Sequence, residues 1–268
     1  MKTKAVLLLV CISVLVCSCE LIDPFLNPTT SSGCLLTSTS FSVPNDPAHL
    51  ETEYNYDTSD KLIEIIRSEY DQNSTAYIER YVISYLGDKV NQIKQYNTFL
   101  NNPEELLETH TFFFSGVLID SIASIAYNGS QQNHSYSLCN YTNNKLTKLT
   151  NYRYNLIDSI SSLYRTIDLI WASDNISKIT TQYASSGTLI SEYQYDDKKD
   201  PMNHFGLSFT TLGSLTMLSQ NNVVASQNTV WDGSVQSNTI EITYNAQDYP
   251  VSTTPSNNYT TTYTYNCK

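Results

Sequence analysis

The stretch Tyr141-Thr-Asn-Asn-Lys-Leu146-Thr-Lys-Leu149 contains the pattern that decides the fold. An aromatic residue, which we call the anchor, is followed by a short polar turn and by apolar residues five and eight positions later. Most anchors are spaced 27 to 30 residues apart, and such self-similarity indicates an internal repeat. The other anchors and their apolar pairs, two of them with one extra turn residue, are Tyr56 (Leu62, Ile65), Tyr85 (Val90, Ile93), Phe114 (Ile119, Ile122), Tyr154 (Ile160, Leu163) and Trp171 (Ile176, Ile179).

Each repeat has the features of a β-hairpin. Apolar residues also stand two positions before most anchors, and a period of two marks a strand with one buried face. Turn-forming pairs such as Gly87-Asp88 and Asn143-Asn144 follow the anchors. We therefore predict an all-β antiparallel meander of about 14–16 strands, in which residues 60–70 and 103–108 are strands rather than helices. The apolar pair after each turn is three residues apart, so either one member faces away from the core or a bulge realigns the strand.

The repeat is interrupted once, between the anchors Tyr195 and Tyr244, which are 49 residues apart. We treat residues 196–233 as an insertion. Its segment 205–218 is rich in Phe, Leu and Met, and it is too apolar to remain in solvent. We expect this segment to pack onto or into the sheet as a plug or cap. A short helical turn within the segment is compatible with this packing.

The N-terminus predicts export and lipid attachment. Lys2 and Lys4 precede an apolar run of signal-peptide length, too short to span a bilayer. The following Val16-Cys17-Ser18-Cys19 resembles the lipobox of bacterial lipoproteins, with Cys17 as an unusual middle residue. This resemblance implies a lipoprotein signal peptide over residues 1–18, with a signal helix, and lipid attachment at Cys19. The alternative is an ordinary secretory signal.

The predicted mature chain has three parts of different character. Residues 19–40 contain two prolines and a Thr/Ser-rich run, and we interpret them as a flexible tether. Residues 41–268 form a single β-repeat domain. Removing residues 1–18 removes two lysines, so the net charge changes from −11 to −13. So acidic a chain repels nucleic acid, which we exclude as a partner.

Three cysteines, Cys34, Cys139 and Cys267, lie in the predicted mature domain. In an oxidising compartment this odd number suggests one disulfide and one remaining thiol. Cys34 precedes the first plausible strand and Cys267 ends the last one, so closure of the sheet would bring them together. A Cys34–Cys267 disulfide is therefore a hypothesis. The alternative is that these two cysteines are buried and unpaired.

The chain has no recognisable catalytic or metal-binding motif. His49, His110, His134 and His204 are scattered and lack metal-ligand spacing. Paired acids such as 104–105 and 196–197 are more typical of solvated turns than of acid–base sites. We therefore predict no catalytic residue, no metal ligand and no cofactor. The repeated buried strand position explains most of the 21 tyrosines, and stacking platforms for sugars are the alternative.

Turn and strand signatures in the C-terminal half carry a family resemblance. The segments 193–201, 219–223, 244–250 and 263–267 resemble an uncharacterised group of envelope lipoproteins, described as a domain of unknown function with a porin-like fold. The resemblance covers essentially the whole predicted mature chain, and it implies a barrel-like sheet. A round barrel of this size leaves a lumen, so an inward apolar face requires a sheet that flattens, stays partly open or is plugged. Mid-strand charges such as Glu79, Arg80, Lys94 and Lys148 argue against a membrane-spanning barrel.

These observations favour a non-enzymatic, lipid-anchored protein of the cell envelope. We expect an outer-membrane lipoprotein, on either face of that membrane, which binds a glycan, a lipid or a partner protein. The alternative is a structural component of an outer-membrane assembly. A hydrolase with an unrecognised acidic site is a third hypothesis, which clustered carboxylates in one pocket would favour.

Overall fold

The computed structural model describes residues 34–267 except 45, 47, 72–73, 100–101, 130, 156–159, 204–213 and 257–258. The predicted signal peptide and Cys19 lie outside the described residues. The sixteen strands are β1 Cys34–Ser42, β2 His49–Tyr56, β3 Leu62–Asp71, β4 Ser74–Leu86, β5 Lys89–Phe99, β6 Glu105–Ser115, β7 Leu118–Asn128, β8 Gln131–Thr142, β9 Lys145–Asn155, β10 Ile160–Ala172, β11 Asn175–Tyr183, β12 Gly187–Lys199, β13 Asn221–Thr229, β14 Val235–Tyr244, β15 Pro250–Pro255 and β16 Thr260–Cys267.

The strands form one closed antiparallel barrel in which each strand pairs with its neighbours in sequence. The predicted all-β meander is confirmed, and the stretches assigned to strands in preference to helices are β3 and the start of β6. β1 pairs with β16 from Cys34 opposite Cys267 to Ser42 opposite Thr260, so the sheet is not partly open. The predicted tether was therefore too long, because residues 34–40 belong to β1.

A β-bulge in each repeat resolves the odd spacing of the apolar pair. In β5, Ser84 pairs with Gln92 and Tyr85 with Val90, so Asn91 is the extra residue. The bulge shifts the alternation by one, and Val90 and Ile93 both point inward with 6% and 1% of their surface exposed. The bulged residues at this position of the hairpins are Ile63, Asn91, Asp120, Thr147, Ser177 and Val251.

Four anchors, and Tyr265 on β16, donate a hydrogen bond to the carbonyl that precedes a bulge in the neighbouring hairpin. A bulge disrupts the ladder locally, and a side-chain donor satisfies the backbone oxygen there. At these positions the contact favours Tyr and Trp, which combine a large apolar ring with a donor. The bonds are Tyr56 Oη to Leu36 O (2.8 Å), Tyr85 Oη to Leu62 O (2.7 Å), Trp171 Nε1 to Leu146 O (2.7 Å), Tyr195 Oη to Ile176 O (2.7 Å) and Tyr265 Oη to Pro250 O (2.9 Å).

Lysines form a second link between successive repeats. Lys61 donates to Asp88 in the next turn at 2.6 Å and lies 5.4 Å from the centre of the Tyr85 ring. Lys145 repeats the arrangement with Asp174 at 2.9 Å and with the ring of Trp171. Each lysine thus combines a surface ion pair with a cation–π contact, both of modest strength.

The apolar layer fills one end of the barrel, which we call the closed end. This end carries the turns that follow the anchors, including 57–61, 87–88, 143–144 and 173–174. The predicted copy at Tyr154 is wrong, because Leu163 is 46% exposed and lies near the opposite end. The buried core of the closed end includes Leu36, Leu62, Ile65, Val90, Ile93, Ile119, Ile122, Leu146, Leu149, Ile176, Ile179 and Leu218.

The insertion is shorter than predicted and enters the barrel at the closed end. Part of it is sheet, because β12 extends to Lys199 and β13 begins at Asn221. Residues 200–203 and 214–220, which we call the plug segment, contain a 3-10 helix at Leu215–Leu218. Leu218 packs in the core, and Ser219 Oγ accepts the backbone N–H of Ile176 at 2.9 Å. Residues 204–213, which include most of the predicted plug, lie outside the described residues.

Ion pairs cover the outer surface at mid-strand height. Arg80 donates to Glu64 at 2.6 Å and to Glu104 at 3.0 Å. Lys148–Asp168 and Lys178–Glu192 are further pairs on strands whose alternate residues point into the core. An outward surface of this kind differs from the apolar band of a lipid-facing barrel. Within the described ranges, no helix has the length and apolar character needed to cross a membrane.

Candidate ligand cavity at the open end

A cavity of about 410 Å³ opens at the end of the barrel opposite the closed end, which we call the mouth. Strands β1–β4 and the β1–β2 connection form its wall. A deeper cavity of about 280 Å³ shares Phe41, Leu50 and Arg67 with it and ends on Met202 and Met217 of the plug segment. The lining of the outer cavity is Phe41, Val43, Asp46, Ala48, His49, Leu50, Arg67, Glu69, Tyr77 and Glu79.

A hydrogen-bonded cluster around Glu79 forms the polar part of the wall. Glu79 accepts hydrogen bonds from Arg67 Nη1 at 3.3 Å, Tyr77 Oη at 3.2 Å and Tyr81 Oη at 3.2 Å. Burial is the main reason that the pKa of Tyr77 and the pKa of Tyr81 are raised, and the negative charge of Glu79 raises both further. Both phenols therefore remain protonated at neutral pH. They hold the carboxylate in one position.

The deeper cavity combines hydroxyl groups with aromatic rings. Thr39, Thr52 and Thr261 line it together with Tyr54 and Tyr263. Cavities of a few hundred Å³ that mix aromatic walls with a few fixed polar groups are typical of small-molecule sites. No group of His, Cys, Asp and Glu in the described part of the chain is arranged to hold a metal ion.

The structure places Cys34, Cys139 and Cys267 at two locations. Cys34 and Cys267 are joined by a disulfide where β1 meets β16, with their Cα atoms 3.9 Å apart. Cys139 is a buried thiol inside the barrel, and burial raises its pKa to about 12, so it is unreactive at neutral pH. None of the three lies in the mouth cavity.

The histidines do not come together. His49 stacks on Tyr70 at the rim, with ring centres 4.5 Å apart, and lines the outer cavity. His134 lies near the ring of Tyr154, and His204 lies outside the described residues. His110 is buried on β6.

Glu108, His110 and Ser124 form a buried polar group that superficially resembles a catalytic triad. Ser124 Oγ lies 2.7 Å from His110 Nδ1, and Glu108 Oε2 lies 3.7 Å from His110 Nε2. Burial lowers the pKa of His110 to about 4, which makes it a weak general base near neutral pH. The side chain of His110 is only 5% exposed, so substrate would not reach it. This group therefore gives the hydrolase hypothesis little support.

Reasoning from the sequence missed the residues of the cavity. Glu79 and Arg80 were both treated as charges on the outer surface, yet neighbours on a strand point to opposite faces. Glu79 faces inward with Tyr81, and Arg80 faces outward. The signal was available, because the buried position two residues before the Tyr85 anchor places residues 79, 81 and 83 on one face.

Comparison with known proteins agrees with the barrel fold. No protein-family model matches the chain, and no protein with curated annotation matches it. A crystal structure of a porin-like protein from Bacteroides uniformis covers 86% of this chain and 98% of its own, with a TM-score of 0.56 at 10% identity. A second porin-like protein, from Bacteroides vulgatus, covers 87% and 98%, with a TM-score of 0.35 at 9% identity. At 10% identity the first likeness is one of fold, and it confirms the barrel that the family resemblance implied.

Proposed function

We propose that this protein is a non-enzymatic binding module of the cell envelope that takes a glycan in the mouth cavity. In this proposal the chain is an outer-membrane lipoprotein, and lipid on Cys19 anchors it to the membrane. The observation that carries the binding role is the cavity of about 410 Å³ above a filled closed end. A barrel closed at one end and open at the other holds a ligand rather than conducting it.

The closed end argues for retention of the ligand. Leu146 and Ile176 are fully buried, and Leu218 of the plug segment packs against the same apolar layer. Close packing of this kind leaves no room for a column of water. The deeper cavity accordingly ends on Met202 and Met217.

The chemistry of the wall favours a glycan over an acyl chain. Phe41 and Tyr77 offer aromatic faces for the C–H surface of a sugar ring, and Arg67, Glu69 and Glu79 offer donors and acceptors for its hydroxyls. An acyl chain would desolvate these charged groups without offering them a hydrogen bond, which costs free energy. The Glu79 cluster is already fixed by three donors, so little ordering accompanies binding.

A glycan array probed with the full-length lipidated protein in detergent micelles tests the proposal. Any glycan that binds is then titrated by calorimetry against Tyr77→Ala and against Tyr152→Ala, a matched control. Tyr152 stacks on Tyr136 on the outer wall, with ring centres 4.7 Å apart. We expect Tyr77→Ala to weaken binding at least about tenfold and Tyr152→Ala to leave it unchanged. An empty array, or equal affinities for the two variants, would refute the glycan assignment.

An outer aromatic patch supports the second candidate function, a structural component of an outer-membrane assembly. Tyr136 and Tyr152 lie beside Leu138 and Leu163, which are 39% and 46% exposed. Exposed apolar side chains grouped on one face are typical of protein contacts. Crosslinking in intact cells separates the two functions, because an assembly component gives one partner at fixed stoichiometry. The assembly hypothesis further requires that Tyr152→Ala abolish that crosslink.

A further inference from the structure

Two arginines and two tyrosines form a cluster on strands β9–β11, toward the mouth. The guanidinium carbon of Arg153 lies 3.7 Å from the centre of the Tyr164 ring, and that of Arg165 lies 5.7 Å from the same ring. Tyr183 packs edge-on against Tyr164, with ring centres 5.8 Å apart. Two positive charges therefore share one aromatic platform.

The cluster faces the interior of the barrel. Arg165 alternates along β10 with Ile167 and Leu169, which are 5% and 4% exposed and belong to the core. Its Nε donates to Asn151 Oδ1 at 3.2 Å, and Asn151 in turn donates to Ser137 on β8. The bond to Asn151 thus fixes the Arg165 side chain through Nε and leaves its two terminal nitrogens outside that bond.

The two guanidinium groups have no acidic partner among the described residues. No carboxylate oxygen in that part of the chain lies within 4.0 Å of either group. Lys89, Lys94 and Lys199 also have no carboxylate within 4.0 Å among the described residues, so the arginine pair is distinguished by its inward position beside an aromatic ring. The cations that do have a carboxylate partner are Lys61, Arg67, Arg80, Lys145, Lys148, Lys178 and Lys198.

We propose that Arg153 and Arg165 bind an oxyanion group, namely a carboxylate, sulfate or phosphate, carried by a ligand that enters the mouth. The planar guanidinium fork matches the geometry of such groups, and two forks can bind one group from two sides. An anion between them relieves the repulsion of the like charges. The net charge of −11 repels anions in general, so a local pair of cations is needed for their selection.

This site is separate from the glycan cavity and does not depend on that proposal. The cavity is lined by β1–β4 and contains the carboxylates of Asp46, Glu69 and Glu79, which disfavour an anion. The arginine pair lies on β9 and β10 instead. The two proposals can therefore fail independently.

Calorimetric titration of the full-length protein with three probes at low ionic strength tests the anion site. Glucuronate reports a carboxylate, glucose is its neutral counterpart, and inorganic phosphate reports a tetrahedral anion. The proposal requires that glucuronate or phosphate bind. If glucuronate binds, glucose must bind more weakly. Binding should weaken as salt is raised, because the charges are partly exposed to solvent.

The decisive comparison uses the double variant Arg153→Gln/Arg165→Gln and the control Lys148→Gln. Lys148 is on the outer face of β9 and pairs with Asp168 at 3.5 Å, so its replacement removes charge without touching the interior. We expect the double variant to bind the anion about a hundredfold more weakly, or about tenfold for each guanidinium lost. Circular dichroism establishes that both variants are folded. Absence of binding by either anion, or equal loss in the control, would overturn the proposal.

Discussion

The anchor hydrogen bonds allow a quantitative test through a pair of opposite substitutions. Tyr85 Oη donates to Leu62 O at 2.7 Å, and Tyr85→Phe removes this bond while retaining the ring. A bond of this type contributes about 1 kcal/mol net, and a buried carbonyl left without a partner costs about 1–3 kcal/mol. Because Tyr85 is only half-buried, we expect the free energy of unfolding to fall by about 1–2 kcal/mol.

Phe114 provides the opposite case, because this anchor has no hydroxyl. The equivalent carbonyl for Phe114 belongs to Val90, the residue before the bulge at Asn91. Phe114→Tyr should place a donor there and raise the free energy of unfolding by about 0.5–1.5 kcal/mol. The nearby ammonium of Lys89, 4.9 Å from the ring centre, contacts the face of the ring and does not occupy this position in the sheet.

Urea unfolding followed by circular dichroism measures both effects from the midpoint and slope of the transition. Tyr152→Phe is the control, since its ring lies on the outer wall, and we expect a change below about 0.5 kcal/mol. Our account of the anchors requires opposite signs for Tyr85→Phe and Phe114→Tyr. A neutral Tyr85→Phe, or a destabilising Phe114→Tyr in a folded protein, would show that ring packing alone explains the repeat.

Three further predictions concern charge, packing and covalent closure. Burial raises the pKa of Asp200 in the plug segment to about 7 from 3.8, so the native state binds a proton that the unfolded state releases, and stability should fall as pH rises from about 4 to 7. Asp200→Asn should remove this pH dependence and raise the free energy of unfolding by up to about 4 kcal/mol at pH 8. The test compares the urea unfolding midpoints of the variant and the wild type at pH 4.5 and at pH 8. Leu146→Ala, at a fully buried position, should cost about 2–5 kcal/mol in the same assay, whereas a loss below 1 kcal/mol would mean that the closed end is loosely packed. Reduction of the Cys34–Cys267 disulfide should lower the free energy of unfolding by about 5 kcal/mol, and a peptide mass map of the non-reduced protein that finds both thiols free would contradict the disulfide.

The repeat made the architecture predictable because it combines two local signals. The period of two before each anchor fixes which residues face inward, and the turn pairs fix where the chain reverses. Asn143 and Asn144, with φ angles of 51° and 60°, adopt the left-handed conformation that such turns require. The near copy at Tyr154 matched the spacing, but its hairpin reverses at the mouth end, where Leu163 faces outward. Spacing alone was therefore insufficient.

The bulges and the strand bounds at the insertion could not be read from one strand. A spacing of three apolar residues fits either an outward side chain or a bulge, and only the pairing partner distinguishes them. Likewise, residues 196–199 carry the charges of a turn, yet they extend β12 because Asp196 accepts hydrogen bonds from the backbone and side chain of Asn222. That partner is 26 residues away, beyond any local pattern.

The barrel divides structural and ligand-binding roles between its two ends, and this division explains why the sequence revealed the fold but not the site. At the closed end five hairpins contribute the same set of an anchor, a bulge and an inward apolar pair, so each of these residues is constrained by its neighbours on both sides. Toward the mouth the repeat has ended, and inward positions such as Arg67, Glu79 and Arg153 follow no period. These positions lie beyond the apolar layer, so polar and charged side chains there cost little stability. Their identity can therefore vary with the ligand that is bound. Substitutions at the mouth should therefore change binding with little effect on unfolding, whereas substitutions at the closed end should do the reverse.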